Sequence, residues 1–212
     1  MSLGLGALVL CLMVAAPGAA WAGTIRILAL GDSLTAGFGL DEKDSFPSQL
    51  EAALKAKGYD VEVLNAGVSG DTTAGGLDRL DWALADTPDL AIVELGANDG
   101  LRAIDPAATR ANLDRILARL NETKIPTLLA GMLAPPNLGR AYGDAFNAIF
   151  PDLAKAHGVA FYPFFLDGVA MVPALNQGDG MHPNAEGVKV IVDRITPAVI
   201  ELIKAGGFAR AG

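Results

Sequence analysis

Cysteine is all but missing from this chain. The single one, Cys11, lies in an N-terminal apolar run, so a chain cut after Ala22 would hold no disulfide and would rely on packing alone. Lysine and arginine form no cluster, and their 16 charges are outnumbered by 24 acidic ones, for a net charge of −8. That balance argues against nucleic acid or an anionic membrane surface as an electrostatic partner. Tryptophan occurs twice, as Trp21 and Trp82, so groups that could stack on sugar rings are few. Charged residues make up only 19% against 51% hydrophobic, which excludes a disordered chain. Repeats and long linkers are also missing. With 212 residues, the expectation is one domain with a real core.

The N-terminus is what the cut would remove. Leu3 to Ala16 is apolar and uncharged, and Ala20-Trp21-Ala22 has the small-x-small form of a cleavage site. Residues 1–22 therefore read as a secretory signal peptide, with the mature chain, 23–212, exported to the periplasm or secreted. An uncleaved anchor is the alternative, favoured by a Met1-Ser2 start that has no basic residue. Leu10 before Cys11 is not small, so a lipid anchor is not expected, nor any stable membrane anchor after cleavage.

Beyond residue 22 the chain alternates between apolar runs and helical periodicity. Ile25–Leu30, Val61–Leu64, Leu90–Leu95, a stretch within Pro126–Gly131, and Val159–Tyr162 read as strands. Helices are expected over Phe46–Lys57, from about Asp71 or Thr72 to Leu84, over Pro106–Asn121, Tyr142–His157 and Asn184–Ala205, the last kinked at Pro197. This βαβα order predicts a parallel sheet with helices on both faces. The fold class is a three-layer α/β/α sandwich, flavodoxin-like, with five strands in the order 2-1-3-4-5.

Polar breaks follow the strands, on the edge where open α/β sheets bind ligands. Gly31-Asp32-Ser33 ends the first run, and Ser33 is the first hydroxyl there. Small residues around it would let the backbone turn and a substrate approach. A serine nucleophile needs a base. Of only two histidines, His157 sits before Gly158 at a helix C-terminus, which explains it structurally. His182 lies in a loop with Asp179 three residues earlier, a spacing that lets a carboxylate meet one imidazole nitrogen and leaves the other free. An Asp capping a turn beside a surface His is the plainer alternative. The Ser33 N–H, the Gly70 N–H and the Asn98 amide are candidate donors to an oxyanion, although Gly and Asn are also ordinary turn residues. Ser69 is a decoy, since its following Gly comes one residue too early for a G-x-S-x-G elbow. Asp32, Asp71 and Asp99 have no His or Cys beside them and read as caps and turn formers, so neither a metal nor any other cofactor is expected.

Taken together, GDSLTAGFG (31–39), NAGVSGDTTAGGLDRL (65–80), VELGANDGLR (93–102) and DGMHPN (179–184) resemble the blocks of the SGNH or GDSL hydrolase superfamily, named for its serine, glycine, asparagine and histidine. GMLAPPNLGRAYGDAFNAIFPDLA (131–154) and FYPFF (161–165) are similar to its bacterial periplasmic esterase branch, which includes multifunctional thioesterase I/lysophospholipase/arylesterase enzymes. The resemblance implies Ser33 as nucleophile, His182 as general base, Asp179 as its support, and Ser33, Gly70 and Asn98 as the oxyanion hole. It implies small acyl esters and thioesters as substrates, among them lysophospholipids and aryl esters. The acyl group needs an apolar site, for which Leu133, Pro136, Leu138 and Met171 are candidates, in segments that could equally be loops folded on the core. A monomer is expected. Two other functions stay open: a carbohydrate acetyl esterase of the same superfamily, and a non-catalytic flavodoxin-like binding module.

Overall fold

A computed structural model describes residues 23–210. The expected signal segment, 1–22, lies outside the described residues. In chain order the elements are β1 (Ile25–Gly31), α1 (Ser33–Ala36), α2 (Phe46–Ala56), β2 (Val61–Gly67), α3 (Thr73–Asp78), α4 (Leu80–Leu84) and β3 (Leu90–Glu94). Then come α5 (Ala97–Leu101), α6 (Pro106–Glu122), β4 (Thr127–Ala130), α7 (Arg140–Asn147), α8 (Ile149–His157), β5 (Ala160–Tyr162) and α9 (Ala185–Ala205).

All five strands are parallel, in the order β2-β1-β3-β4-β5. Burial follows position in that order. The central strands β1, β3 and β4 are buried almost throughout, because helices cover both their faces, and they carry the continuous apolar runs seen in the sequence. At one edge β2 alternates, with Val61 and Val63 buried and Glu62 exposed, and at the other β5 has only three residues. Against the sheet, α2 packs on α9 in one layer, and α6 packs on α3 and α8 in the other.

Two expected helices are each divided. The segment from Thr73 to Leu84 breaks at Arg79, whose guanidinium donates to the carbonyls of Ala66 and Gly31 at 2.8 Å each. Those bonds pin the chain to the ends of two strands at the point where Gly75 and Gly76 already weaken a helix. The expected 142–157 helix is α7 and α8, meeting at Ala148. Pro151 has no N–H to offer the Asn147 carbonyl, so the ladder lapses there. By contrast α9 runs through Pro197 as one helix. A short α5, Ala97–Leu101, fills the polar break after the third strand, where no helix was expected.

This layout places the strand ends on one edge. In register, Gly31 lies between Gly67 of β2 and Glu94 of β3, so the segments after β1, β2 and β3 emerge side by side.

Candidate active site

The turn after β1 is built by what fits around it. A Cβ on Gly31 would run into the Thr35 hydroxyl and come within 2.6 Å of Glu94 Oε2, so the glycine is needed for space. Gly31 is not among the residues of positive φ. Of the small residues expected to let the backbone turn on either side of Ser33, Gly37 does so, capping α1 at φ 81°. Asp32, fully buried, caps the other end by accepting the Leu34 N–H at 3.0 Å. Ser33 is then the first residue of α1, where an N–H has no acceptor within the helix.

Far along the chain, the turn before α9 meets it. Asp179 Oδ1 accepts the N–H groups of Met181 and His182 at 2.9 and 3.0 Å, and its Oδ2 lies 2.6 Å from His182 Nδ1. These bonds, the Met181 N–H foremost, hold the Asp179 carboxyl well below the usual carboxylate range. A carboxylate at Nδ1 requires a proton there, which leaves Nε2 of a neutral imidazole as an acceptor. Nε2 lies 3.0 Å from Ser33 Oγ. Two groups separated by 149 positions are thus within hydrogen-bond reach.

Gln177 braces this turn. Its side-chain amide donates to the carbonyls of Phe38 and Pro183 at 2.7 and 3.0 Å, and its backbone N–H donates to His182 O at 2.7 Å. Phe38 in turn lays its ring 4.6 Å from the His182 ring. Neither residue stood out in the sequence. An exposed aromatic in a glycine-rich loop is the signal that could have pointed to Phe38.

The candidate oxyanion donors come from the next two strands. Gly70, at φ 87°, occupies a left-handed conformation that a side chain would strain. Its carbonyl accepts from Arg102 Nη2 at 2.8 Å, a contact missed in the sequence. Asn98, the second residue of α5, donates its amide to Asp32 Oδ2 at 3.1 Å, which brings it beside the residue that precedes Ser33. Asp71 and Asp99, the other two aspartates of these breaks, are occupied by protein donors. Asp71 pairs with Arg79 at 2.6 Å, and Asp99 accepts from the Thr73 N–H and from the Thr73 and Thr109 hydroxyls. His157 closes α8 and pairs with Asp114 at 2.7 Å, away from these contacts.

Burial dominates the charge of two acids here. It pushes the Asp32 carboxyl up to about 6, against the opposing pull of the Leu34 N–H, the Asn98 amide and His182. Glu94, also fully buried, is raised well above the usual range by burial and then by Asp32. Of the four candidates for the acyl site, Leu133 and Met171 are exposed, and Pro136 and Leu138 bound a short 3-10 turn. Met171 takes φ 63°, unusual for its residue type.

A hydroxyl, an imidazole and a carboxylate in sequence, at the carboxyl edge of a 2-1-3-4-5 parallel sheet, define an α/β serine hydrolase. A model of the GDSL-like lipase/acylhydrolase family matches residues 29–190, and the chain belongs to that family. It is 39% identical over 177 residues to an arylesterase of Vibrio mimicus, covering 83% of this chain and 88% of that one. It is 40% identical over 168 residues to thioesterase 1/protease 1/lysophospholipase L1 of Escherichia coli, covering 79% of each. The crystal structure of AlinE4, an SGNH-hydrolase family esterase, superposes with a TM-score of 0.73 at 49% identity, covering 86% of this chain and 98% of that one. The protein is therefore a hydrolase acting on ester bonds.

Proposed function

We propose that Ser33 is the nucleophile of an exported esterase and thioesterase whose substrates carry an acyl chain. The observation that carries the reading is the 3.0 Å contact between His182 Nε2 and Ser33 Oγ, backed by Asp179 on the opposite ring nitrogen. His182 takes the Ser33 proton as Oγ attacks the acyl carbon. The Ser33 N–H, the Gly70 N–H and the Asn98 amide receive the negative oxygen. The tetrahedral intermediate collapses, the C–O or C–S bond breaks, and the alcohol or thiol leaves with the proton from His182. Water, deprotonated by His182, then attacks the acyl-enzyme and releases the acid. Every one of these groups comes from one chain, so the reaction calls on no residue of a second copy.

The surface around the strand ends favours an acyl substrate. Phe38, Val68, Leu101 and Leu133 are exposed large hydrophobics a few residues past the carboxyl end of a strand, and exposed Met181 adjoins His182. Trp82, the ring best suited to a sugar, is on α4, which leads instead to the start of β3. Lysophospholipids, acyl thioesters and aryl esters, the substrates in the names of the relatives, all fit such a rim. Export rests on residues 1–22, and N-terminal sequencing of protein recovered from the periplasm tests it, with Gly23 as the expected first residue. Hydrolysis of p-nitrophenyl esters from acetate to palmitate tests the rest, with Ser33→Ala as control. Activity that persists beyond short chains and vanishes in the control is expected. Activity on acetate alone would turn the reading toward acetyl esters of carbohydrates, and inactivity of the folded protein would leave only a binding module.

A further inference from the structure

Beneath the nucleophile lie two carboxyls to which the reaction above gives no role. Glu94, the last residue of β3, is 0% exposed. Its Oε2 accepts the Thr35 hydroxyl at 2.7 Å and, at the long end of bonding range, the Asp32 N–H at 3.4 Å. Its Oε1 is buried and has no partner among the described residues. Gly31 is a glycine in part because Glu94 reaches over it. Asp32 is equally buried, and its two oxygens have different duties: Oδ1 caps α1 through Leu34, and Oδ2 accepts from the Asn98 amide.

The second duty matters because a carboxamide has two faces. Asn98 could present either its NH2 or its carbonyl oxygen to an oxyanion, and the oxygen would repel it. A carboxylate accepts and cannot donate, so Asp32 selects the NH2. One N–H is bonded to Asp32 and the other stays available to substrate. Glu94 then fixes Asp32 from below, through its backbone N–H, and fixes the first turn of α1 through Thr35. We propose that Asp32 and Glu94 are positioning residues of the oxyanion hole, Asp32 setting the orientation of the Asn98 amide and Glu94 holding the turn that carries Asp32 and Ser33. The inference rests on Asn98 acting as an oxyanion donor.

Burial favours the neutral form of Glu94, and a glutamine amide matches that form in shape. A Gln carbonyl at 94 would accept from Thr35 and Asp32 as Oε2 does. At 32, Ser retains the helix cap but is too short to hold the Asn98 amide as well. The experiment measures kcat, KM and melting temperature for Asp32→Ser, Asn98→Ala, their double variant, Glu94→Gln and Glu94→Ala, on p-nitrophenyl butyrate. Asp32→Ser is expected to lower kcat by about 10- to 100-fold, part of what a whole oxyanion donor is worth, with KM little changed. In the Asn98→Ala background the same substitution should have almost no further effect. Glu94→Gln should retain the parent kcat, and Glu94→Ala should lose it. Losses from Asp32→Ser and Asn98→Ala that multiply would overturn the proposal, because Asp32 would then act independently of Asn98. So would Glu94→Gln as damaging as Glu94→Ala, or a normal kcat in Asp32→Ser beside a poor one in Asn98→Ala. A normal kcat in Asn98→Ala would instead remove the oxyanion role of Asn98 itself, and the positioning role with it.

Discussion

The phenyl ring of Phe38 lies 4.6 Å from the imidazole of His182, centroid to centroid, tilted by 39°. One ring is the candidate base and the other is half exposed at the rim, so an acyl chain entering over Ser33 would meet Phe38 on its way. An aromatic contact of this kind contributes about 0.5–1.5 kcal/mol beyond its buried area. Phe38→Ala should therefore lower kcat/KM about 2- to 10-fold. The loss should be greater for long-chain p-nitrophenyl esters than for acetate. An equal loss on every chain length would confine Phe38 to steadying His182.

Asn98→Ala removes a donor that is needed only once negative charge develops on the substrate. The expected result is a kcat about 10²–10³ lower with KM little changed. Steady-state kinetics on one soluble ester suffices, and a melting temperature near the parent value shows that the fold survives.

Arg102 holds the carbonyl of Gly70 with a charged donor at 2.8 Å. Its loss frees a loop whose glycine sits at φ 87°, and the Gly70 N–H should wander from its place. Hydrogen bonds to charged groups are worth about 1.5–3 kcal/mol, and exposure of Arg102 places it toward the low end. Arg102→Ala should lower kcat by about tenfold. Arg102→Lys should not restore it fully, because an ammonium on a flexible stem does not reproduce the guanidinium's planar reach. Activity equal to the parent in Arg102→Ala would show that the loop holds itself.

Asp32 and Asp179 should make stability depend on pH in opposite senses. Asp179 is held below the ordinary carboxylate range, so its stabilisation is present above that range and is lost as pH falls below it, through the depressed value of the folded state. Asp32 is raised to about 6, so between about pH 4 and 6 the folded state binds more protons than the unfolded one. Its contribution to stability therefore declines as pH rises through that window. The melting temperature of Asp32→Ser, measured against the parent, should gain on it from pH 4 to pH 7. A difference that stays constant would mean that Asp32 titrates at its ordinary place.

The sheet was legible because its signals are local. A strand buried on both faces must be apolar along its length, as Ile27–Leu30, Leu90–Val93 and Leu128–Ala130 are, and periodicity reveals it without knowledge of any neighbour. The pairing of Asp179 with His182 was legible for the same reason, since three residues separate them. Where a helix stops was less so: Arg79 ends α3 by reaching Gly31 and Ala66, and nothing near Arg79 in the chain announces those acceptors.

By itself the sequence settled which chemistry was present: one hydroxyl at a strand end, one histidine not explained by a helix terminus, one aspartate beside it, and an order of elements that closes only as a parallel sheet. Only the tertiary structure decided who faces whom. The contacts of Ser33 with His182, Asn98 with Asp32, Arg102 with Gly70 and Gln177 with Phe38 span from 32 to 149 positions. Such contacts form where packing brings side chains together, and packing is a property of the whole core that no window of neighbouring residues contains.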